Sequence, residues 1–314
     1  MGKRAMKTCM TVIKPGQLSL IQDFGRFGLS HVGITQSGPV DDYAYSWANH
    51  LLGNSVNAAT LEITLGQAEF ELQHPCQMAI TGGDLNATLD GKPLTNWCTF
   101  SAQKGQRLKF SLPRNGLRSY LAVRGGFVVN AHLGSVSTVK KEGLGGLHQN
   151  GKPLQKGDVL QFLPHSLDAK PLQMTFRLKP DYNLPLRLRV IESYQNASFD
   201  KESLHTFFNR TYTVSQHADR MGYRLTGPEV TPPSEPILSE GIALGAIQIP
   251  PDGQPIVLLN DRQTIGGYPK IGCVAKIDLP RLAQAKPGQS VRFVRGDLEG
   301  LQDVWCQWAR FFGY

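Results

Sequence analysis

The side chains best suited to chemistry gather in one short stretch, Asp261-Arg262-Gln263-Thr264 through Tyr268 and Lys270, directly after an apolar run at Ile256 to Leu259. An acid, two cations, an amide and a phenol in one loop can hold a carboxylate or phosphate, donate to a carbonyl and move a proton. Gly266 and Gly267 either supply positive φ or let a ligand approach the backbone, and Pro269 stiffens the exit. Three other stretches offer the same chemistry. Gln22 and Asp23 precede Arg26. Ser37 and Gly38 precede Asp41, where backbone N–H groups at a helix start can receive an anion. Arg220 carries a guanidinium fork that suits carboxylate or phosphate, two residues before Gly222-Tyr223. Glu240 and Gln248 lie just ahead of the main loop.

Each stretch also has an ordinary reading. The loop can be a solvated hairpin, Asp23 and Arg26 can pair with each other in a tight turn, and Asp41 with Asp42 can cap a helix or complement its dipole. Asp84 fits an Asx turn. His217 is a lone histidine and is read as structural.

These groups must be positioned mainly by strands. The alternation of Leu61, Ile63 and Leu65 with Glu62 and Thr64, and the alternating Leu186 to Ile191, predict strands, with Glu62 facing solvent or a cleft. Three Gly turns each lead into an alternating strand: Lys104 to Phe110, Lys156 to Phe162 and Lys286 to Phe293. The clearest helix runs from Asp41 to Leu52, with Ala44, Trp47, Ala48, Leu51 and Leu52 on one stripe and Gly53 as its stop. A short helix is expected near Lys201 to Phe208. Leu133 to Gly146 lacks periodicity and is read as a mobile or ligand-covering loop. The mixed stretch from Pro164 to Leu184 is taken as the domain boundary, giving lobes 1–168 and 169–314.

With 314 residues, 40% of them hydrophobic, the chain can bury a sizeable core. Its 33 glycines and 20 prolines are scattered, which suits many turns between short strands. Five cysteines without C-x-x-C spacing suggest neither a disulfide framework nor a zinc site, so no metal is expected. No signal-peptide core follows the N-terminus and no run approaches the about 18 apolar residues of a membrane span, so a cytoplasmic protein away from the membrane is expected. The net charge of +8 is spread along the chain without a basic stripe, which disfavours nucleic acid and favours an anionic ligand or acidic partner. No G-x-x-x-x-G-K-[ST] loop is present for a nucleotide.

Two long ordered blocks, S-L-I-Q-D-F-G-R-F-G at Ser19 to Gly28 with Q-S-G-P-V-D-D at Gln36 to Asp42, and the stretch from Gln248 to Gly272, closely resemble the carboxyltransferase-like family. That family includes the C-type subunits of 5-oxoprolinase, KipA-like proteins and the second allophanate-hydrolase-type domain of urea amidolyases. L-E-I-T-L-G, T-G-G-D-L, V-R-G-G and H-A-D-R-M-G-Y-R-L extend the resemblance across nearly the whole chain. Phe27 and Gln36 stand where the family commonly has prolines.

The resemblance implies an all-β protein of two cyclophilin-like β-barrel domains with a few short helices. It also implies a groove between the lobes, lined by the Asp23 to Asp41 region, Arg220 and the Asp261 to Lys270 loop. The function it implies first is a subunit of an ATP-dependent 5-oxoprolinase complex, opening the lactam of 5-oxo-L-proline to L-glutamate with A-type and B-type (KipI-like) partner subunits. ATP with Mg would be held by the complex rather than necessarily by this chain. Asp23, Asp41 and Asp261 are then the acid-base candidates. Gln22, Arg26, Ser37, Gly38, Arg220, Tyr223, Gln248, Arg262, Gln263, Tyr268 and Lys270 are the candidates for binding a small anionic amide. The alternatives are a biotin-dependent carboxyltransferase acting on urea or a related amide, and a non-catalytic KipA-like regulator of a KipI-like partner.

Overall fold

The computed structural model describes residues 8–167, 170–234 and 237–314. The chain divides into two compact units: residues up to Arg26 with Asp41–Tyr182, and Phe27–Val40 with Asn183–Tyr314. The boundary expected at 168/169 lies outside the described residues. Both units are built mainly of β-strands.

The first unit contains β1 (Thr8–Pro15), β2 (Leu18–Gln22), α1 (Asp42–Leu52), β3 (Thr60–Thr64), β4 (Ala68–Leu72), β5 (Cys76–Asp84), β6 (Thr88–Leu89), β7 (Lys92–Pro93), β8 (Cys98–Ala102), β9 (Arg107–Lys109), β10 (Asn115–Val123) and β11 (Val159–Phe162). Six strands form one sheet in the order β11-β1-β4-β9-β6-β7, and five form another in the order β2-β3-β10-β5-β8. Period-2 side chains from both sheets, among them Met10, Phe70 and Leu108 from one and Leu61, Met78 and Leu121 from the other, fill a shared core. The helix α1 forms where its apolar stripe predicts. Asp41 caps it by accepting from Ala44 N at 2.9 Å, and Gly53 ends it in the left-handed region.

The second unit contains β12 (Leu186–Glu192), α2 (Lys201–Asn209), β13 (Thr211–Ala218), β14 (Gly222–Thr226), β15 (Glu240–Gly241), β16 (Ala246–Gln248), β17 (Ile256–Leu258), β18 (Ile265–Gly266), β19 (Lys270–Val274), α3 (Leu279–Ala283), β20 (Ser290–Arg295) and α4 (Leu298–Phe312). Seven of these strands close a barrel in the order β12-β19-β16-β17-β14-β13-β20, and β15 pairs with β18 in a separate ribbon. Closure leaves no unpaired edge. The barrel is filled by Leu188, Val214, Tyr223, Ile247, Val257 and Phe293, among others. All three Gly-turn units observed in the sequence become turn and strand, as β9, β11 and β20, and Gly105, Gly157 and Gly288 each take positive φ.

Two local expectations change. The strand β3 is buried at every position, so Glu62 faces neither solvent nor a cleft but Tyr120, whose hydroxyl donates to it at 2.7 Å. Within the stretch 133–146, Ser135, Ser137 and Thr138 are buried and bonded, while Leu133, Lys140 and Lys141 are exposed.

Candidate functional site

In the first unit the predicted residues Gln22, Asp23 and Arg26 come together against the 132–138 segment. Asp23 accepts from Ser135 Oγ, Ser137 Oγ at 2.7 Å, Val136 N at 2.8 Å and Gly25 N at 3.0 Å. Arg26 donates to the carbonyls of His132 and Ser135 at 3.1 and 3.3 Å. Asp23 and Arg26 therefore bind one segment side by side rather than closing a turn on each other. Gln22 donates to Thr138 O at 3.3 Å, while its Oε1 is buried without a partner among the described residues.

Asp41 belongs to a different cluster of the same unit. Its carboxylate caps α1 and accepts from Tyr182 Oη at 2.9 Å, and its amide donates to Tyr120 Oη at 2.9 Å. Burial, then the neighbouring Asp41, push the Tyr182 phenol well above its ordinary pKa; Tyr120 is raised by burial, then by Glu62 and Asp41. Both phenols stay neutral and keep their protons for these carboxylates. The Asp41 carboxylate also occupies the helix start that was considered for an anion.

In the second unit Ser37, Gly38, Arg220 and Asp261 form one network. Arg220 grips Asp261 bidentately, Nε to Oδ2 at 2.8 Å and Nη2 to Oδ1 at 2.9 Å. Its Nη2 also donates to Gly38 O at 2.7 Å and Ser37 Oγ at 3.1 Å, and Ser37 Oγ donates to Asp261 at 2.8 Å. Asn260, which sequence reasoning did not single out, ties the loop further by donating to the carbonyls of Ser37 and Pro39. Ser37 is held at φ 57°, a left-handed conformation that such a network can maintain. These groups serve each other and fix the 35–39 segment on the barrel of their own unit.

Arg262 turns away from that network and donates to Ile242 O at 3.0 Å and Leu259 O at 3.3 Å. Burial lowers its pKa, partly opposed by Cys273, and burial lifts the Cys273 thiol to about 11. Tyr223 lies wholly inside the barrel with its hydroxyl on Ala283 O, so it packs the core instead of meeting a ligand. Gln263 is part-buried and Tyr268 is exposed. Gly266 and Gly267 do not take positive φ. Gly266 is instead packed closely by the protein's own side chains: a Cβ there would stand 2.8 Å from Ile242 Cδ1 and 3.1 Å from Gln248 Nε2.

The least saturated cluster of the second unit surrounds Gln248 and Lys270. They face each other across the β16–β19 ladder, because Ile271 is an extra residue between the pairs Ile247–Gly272 and Gln248–Lys270. A bulge re-aims the side chains beside it. The turn at 193–196 locks this one: Lys270 N donates to Gln195 Oε1 at 2.7 Å, Ser193 Oγ donates to Lys270 O, and Asn196 Nδ2 donates to Ile271 O at 3.1 Å. Lys270 Nζ stands 2.7 Å from Glu240 Oε1 as an ion pair without an aligned hydrogen bond. Glu240 also accepts from Gln195 Nε2 at 2.8 Å and from Tyr194 Oη. Lys270, then Tyr194, hold its carboxyl below the ordinary range. Tyr194 and Gln195 escaped the sequence reading because an uncharged turn ahead of a helix carries no local signal of what it clasps.

Among the described residues no three His, Cys, Asp or Glu side chains form a metal-holding group, and no helix is long and apolar enough to cross a membrane.

The chain belongs to the carboxyltransferase domain family, subdomains A and B, whose model matches residues 32–295. It is 38% identical to the C-type subunit of 5-oxoprolinase from Escherichia coli, covering 92% of both chains. It is 31% identical to urea amidolyase of Saccharomyces cerevisiae over 91% of its own length, spanning 16% of that protein. The crystal structure of the Kluyveromyces lactis urea carboxylase superposes with a TM-score of 0.85 at 26% identity, over 97% of this chain and 29% of that one.

Proposed function

We propose that this chain is a subunit of an ATP-dependent 5-oxoprolinase complex that opens the lactam of 5-oxo-L-proline to L-glutamate, working with A-type and B-type partner subunits. The observation that carries this reading is the near end-to-end likeness to the C-type subunit of 5-oxoprolinase, which covers 92% of each chain. Opening a lactam adds one water across an amide bond that is unreactive at neutral pH. Placing a phosphoryl group from ATP on the carbonyl oxygen would make the ring carbon electrophilic to that water; the C–N bond then breaks with the ring nitrogen leaving as the amine, and a second water releases phosphate from the resulting acyl phosphate. The chain's part would be to bind and orient the anion. Lys270 and Gln248 have donor capacity to spare for this role, whereas Arg220 and Asp261 satisfy each other. Asp23, Asp41 and Asp261 remain the acid-base candidates. ATP with Mg would be held in the complex, by a partner subunit or in a manner other than a P-loop, which the sequence lacks.

A second reading, biotin-dependent carboxyl transfer to urea or a related amide, is favoured by the match to the carboxyltransferase family model and by the likeness to urea amidolyase. One assay separates the two. The chain is combined with A-type and B-type subunits, and ADP and glutamate formation are measured with and without 5-oxo-L-proline. Formation of both products only with the lactam is expected. Carboxyl transfer from biotin without lactam turnover would select the second reading, and a stable complex with neither activity a regulator.

A further inference from the structure

The bulged pair in β16 and β19 presents two nitrogen donors on one face of the barrel wall. Gln248 is 1% exposed, and its Nε2 meets no acceptor among the described residues. Leaving such a buried donor unmet forfeits the hydrogen bond it made to water, which is reason to ask what meets it. Its cross-strand partner Lys270 is 7% exposed, and among the described residues its ammonium is answered by Glu240 alone. Glu240 pairs with Gly266 in the β15–β18 ribbon. Gly266 lies against Gln248 Nε2, where a Cβ would stand 3.1 Å from that nitrogen and 2.8 Å from Ile242 Cδ1.

Glu240 differs from its neighbours in one respect. Its side chain keeps 32% of its exposure while Lys270 keeps 8%, so the carboxylate is the solvent-facing member of the pair. Tyr194, exposed beside it, donates to Glu240 from the solvent side.

We infer that Gln248 Nε2 and Lys270 Nζ form a two-donor seat for the carboxylate of a small ligand, and that Glu240 is the chain's own carboxylate, which the ligand displaces from Lys270. An ammonium buried to this degree needs a counter-charge whether or not ligand is present, and exchange of one carboxylate for another supplies it throughout. Because the incoming group must displace Glu240, the seat selects anions over neutral amides. This inference rests on the small-acid reading above only for one of its probes.

The test is a titration of the full chain, labelled with ¹⁵N-glutamine, with acetate, 5-oxo-L-proline and pyrrolidin-2-one, the lactam without a carboxylate. The Gln248 side-chain amide resonance is identified by its loss in Gln248→Leu. It is expected to shift saturably with acetate and with 5-oxo-L-proline, and to stay in place with pyrrolidin-2-one. Lys270→Met should weaken binding at least tenfold and Glu240→Gln should tighten it severalfold. Gly266→Ala, whose methyl group would crowd Gln248 Nε2 without touching a charge, should weaken the shift, and Lys270→Gln replaces Lys270→Met if that variant does not fold. A shift with acetate alone upholds the seat and counts against the lactam reading. The inference fails if neither carboxylate moves the resonance, if pyrrolidin-2-one moves it equally, or if Glu240→Gln weakens binding as Lys270→Met does.

Discussion

Arg220 and Asp261 are 5% and 6% exposed, and each is the other's main partner. Removing one member of such a pair strands a charge in the interior, and Arg220→Met should therefore destabilise the chain by about 3–5 kcal/mol in urea unfolding. The double variant Arg220→Met with Asp261→Leu should recover much of that loss. If the single variant unfolds at the wild-type urea concentration, the pair is not the anchor of the 35–39 segment. Glu240 makes a second prediction, on pH. Lys270 and Tyr194 depress its folded-state pKa. The stabilisation is therefore complete above the ordinary carboxylate range and is lost as pH falls through the depressed value. Glu240→Gln should lower the melting temperature most at neutral pH and so flatten the acid limb of a thermal-melting profile, variant and wild type converging at low pH. An unaltered acid limb would mean the carboxylate contributes nothing there.

Among the elements, β12 and β19 run so close that a Cβ on Gly272 would lie 2.4 Å from Val190 Cγ1 and 2.8 Å from Ile191 O. Gly272→Ala must then push the two strands apart, at about 1–3 kcal/mol, and disturb the adjacent bulge. Amide exchange should speed up at Lys270 and Ile271 first; unchanged protection there would show that the barrel wall absorbs the methyl group. Elements whose signal is local were legible in the sequence. The α1 stripe with its Asp41 cap, the alternation in β12 and the three Gly turns all formed where their residues indicated. What was not legible depends on pairing between distant strands. Nothing near Gln248 says that a bulge at Ile271 brings Lys270 opposite it, or that residues 193–196 lock that bulge. The alternation through Glu62 was read correctly as a strand, but a strand covered on both faces hides an acid that a period-2 pattern leaves in water. Tyr223 and Arg262 were attractive by residue type alone, and their hydroxyl and guanidinium turned out to serve nearby carbonyls.

For the whole molecule, the order of the chain and the membership of the units differ. Phe27–Val40 belongs with Asn183–Tyr314, although α1 and the rest of the first unit are encoded between them. A fragment covering residues 183–314 lacks Ser37 and Gly38, two of the acceptors of Arg220 Nη2. Followed by circular dichroism, that fragment should melt early and broadly, and fusing residues 27–40 to it through a flexible linker should raise and sharpen the transition. Equal melting of the two would show the 27–40 segment to be a passenger. The same interleaving has a consequence during synthesis. Ser37 leaves the ribosome 183 residues before Arg220 and 224 before Asp261. At about 5–20 residues per second it waits roughly 10 to 45 s for the side chains that hold it. Over that interval the nascent segment has no native home of its own, and translation speed rather than any local preference decides how long it is open to chaperones and proteases.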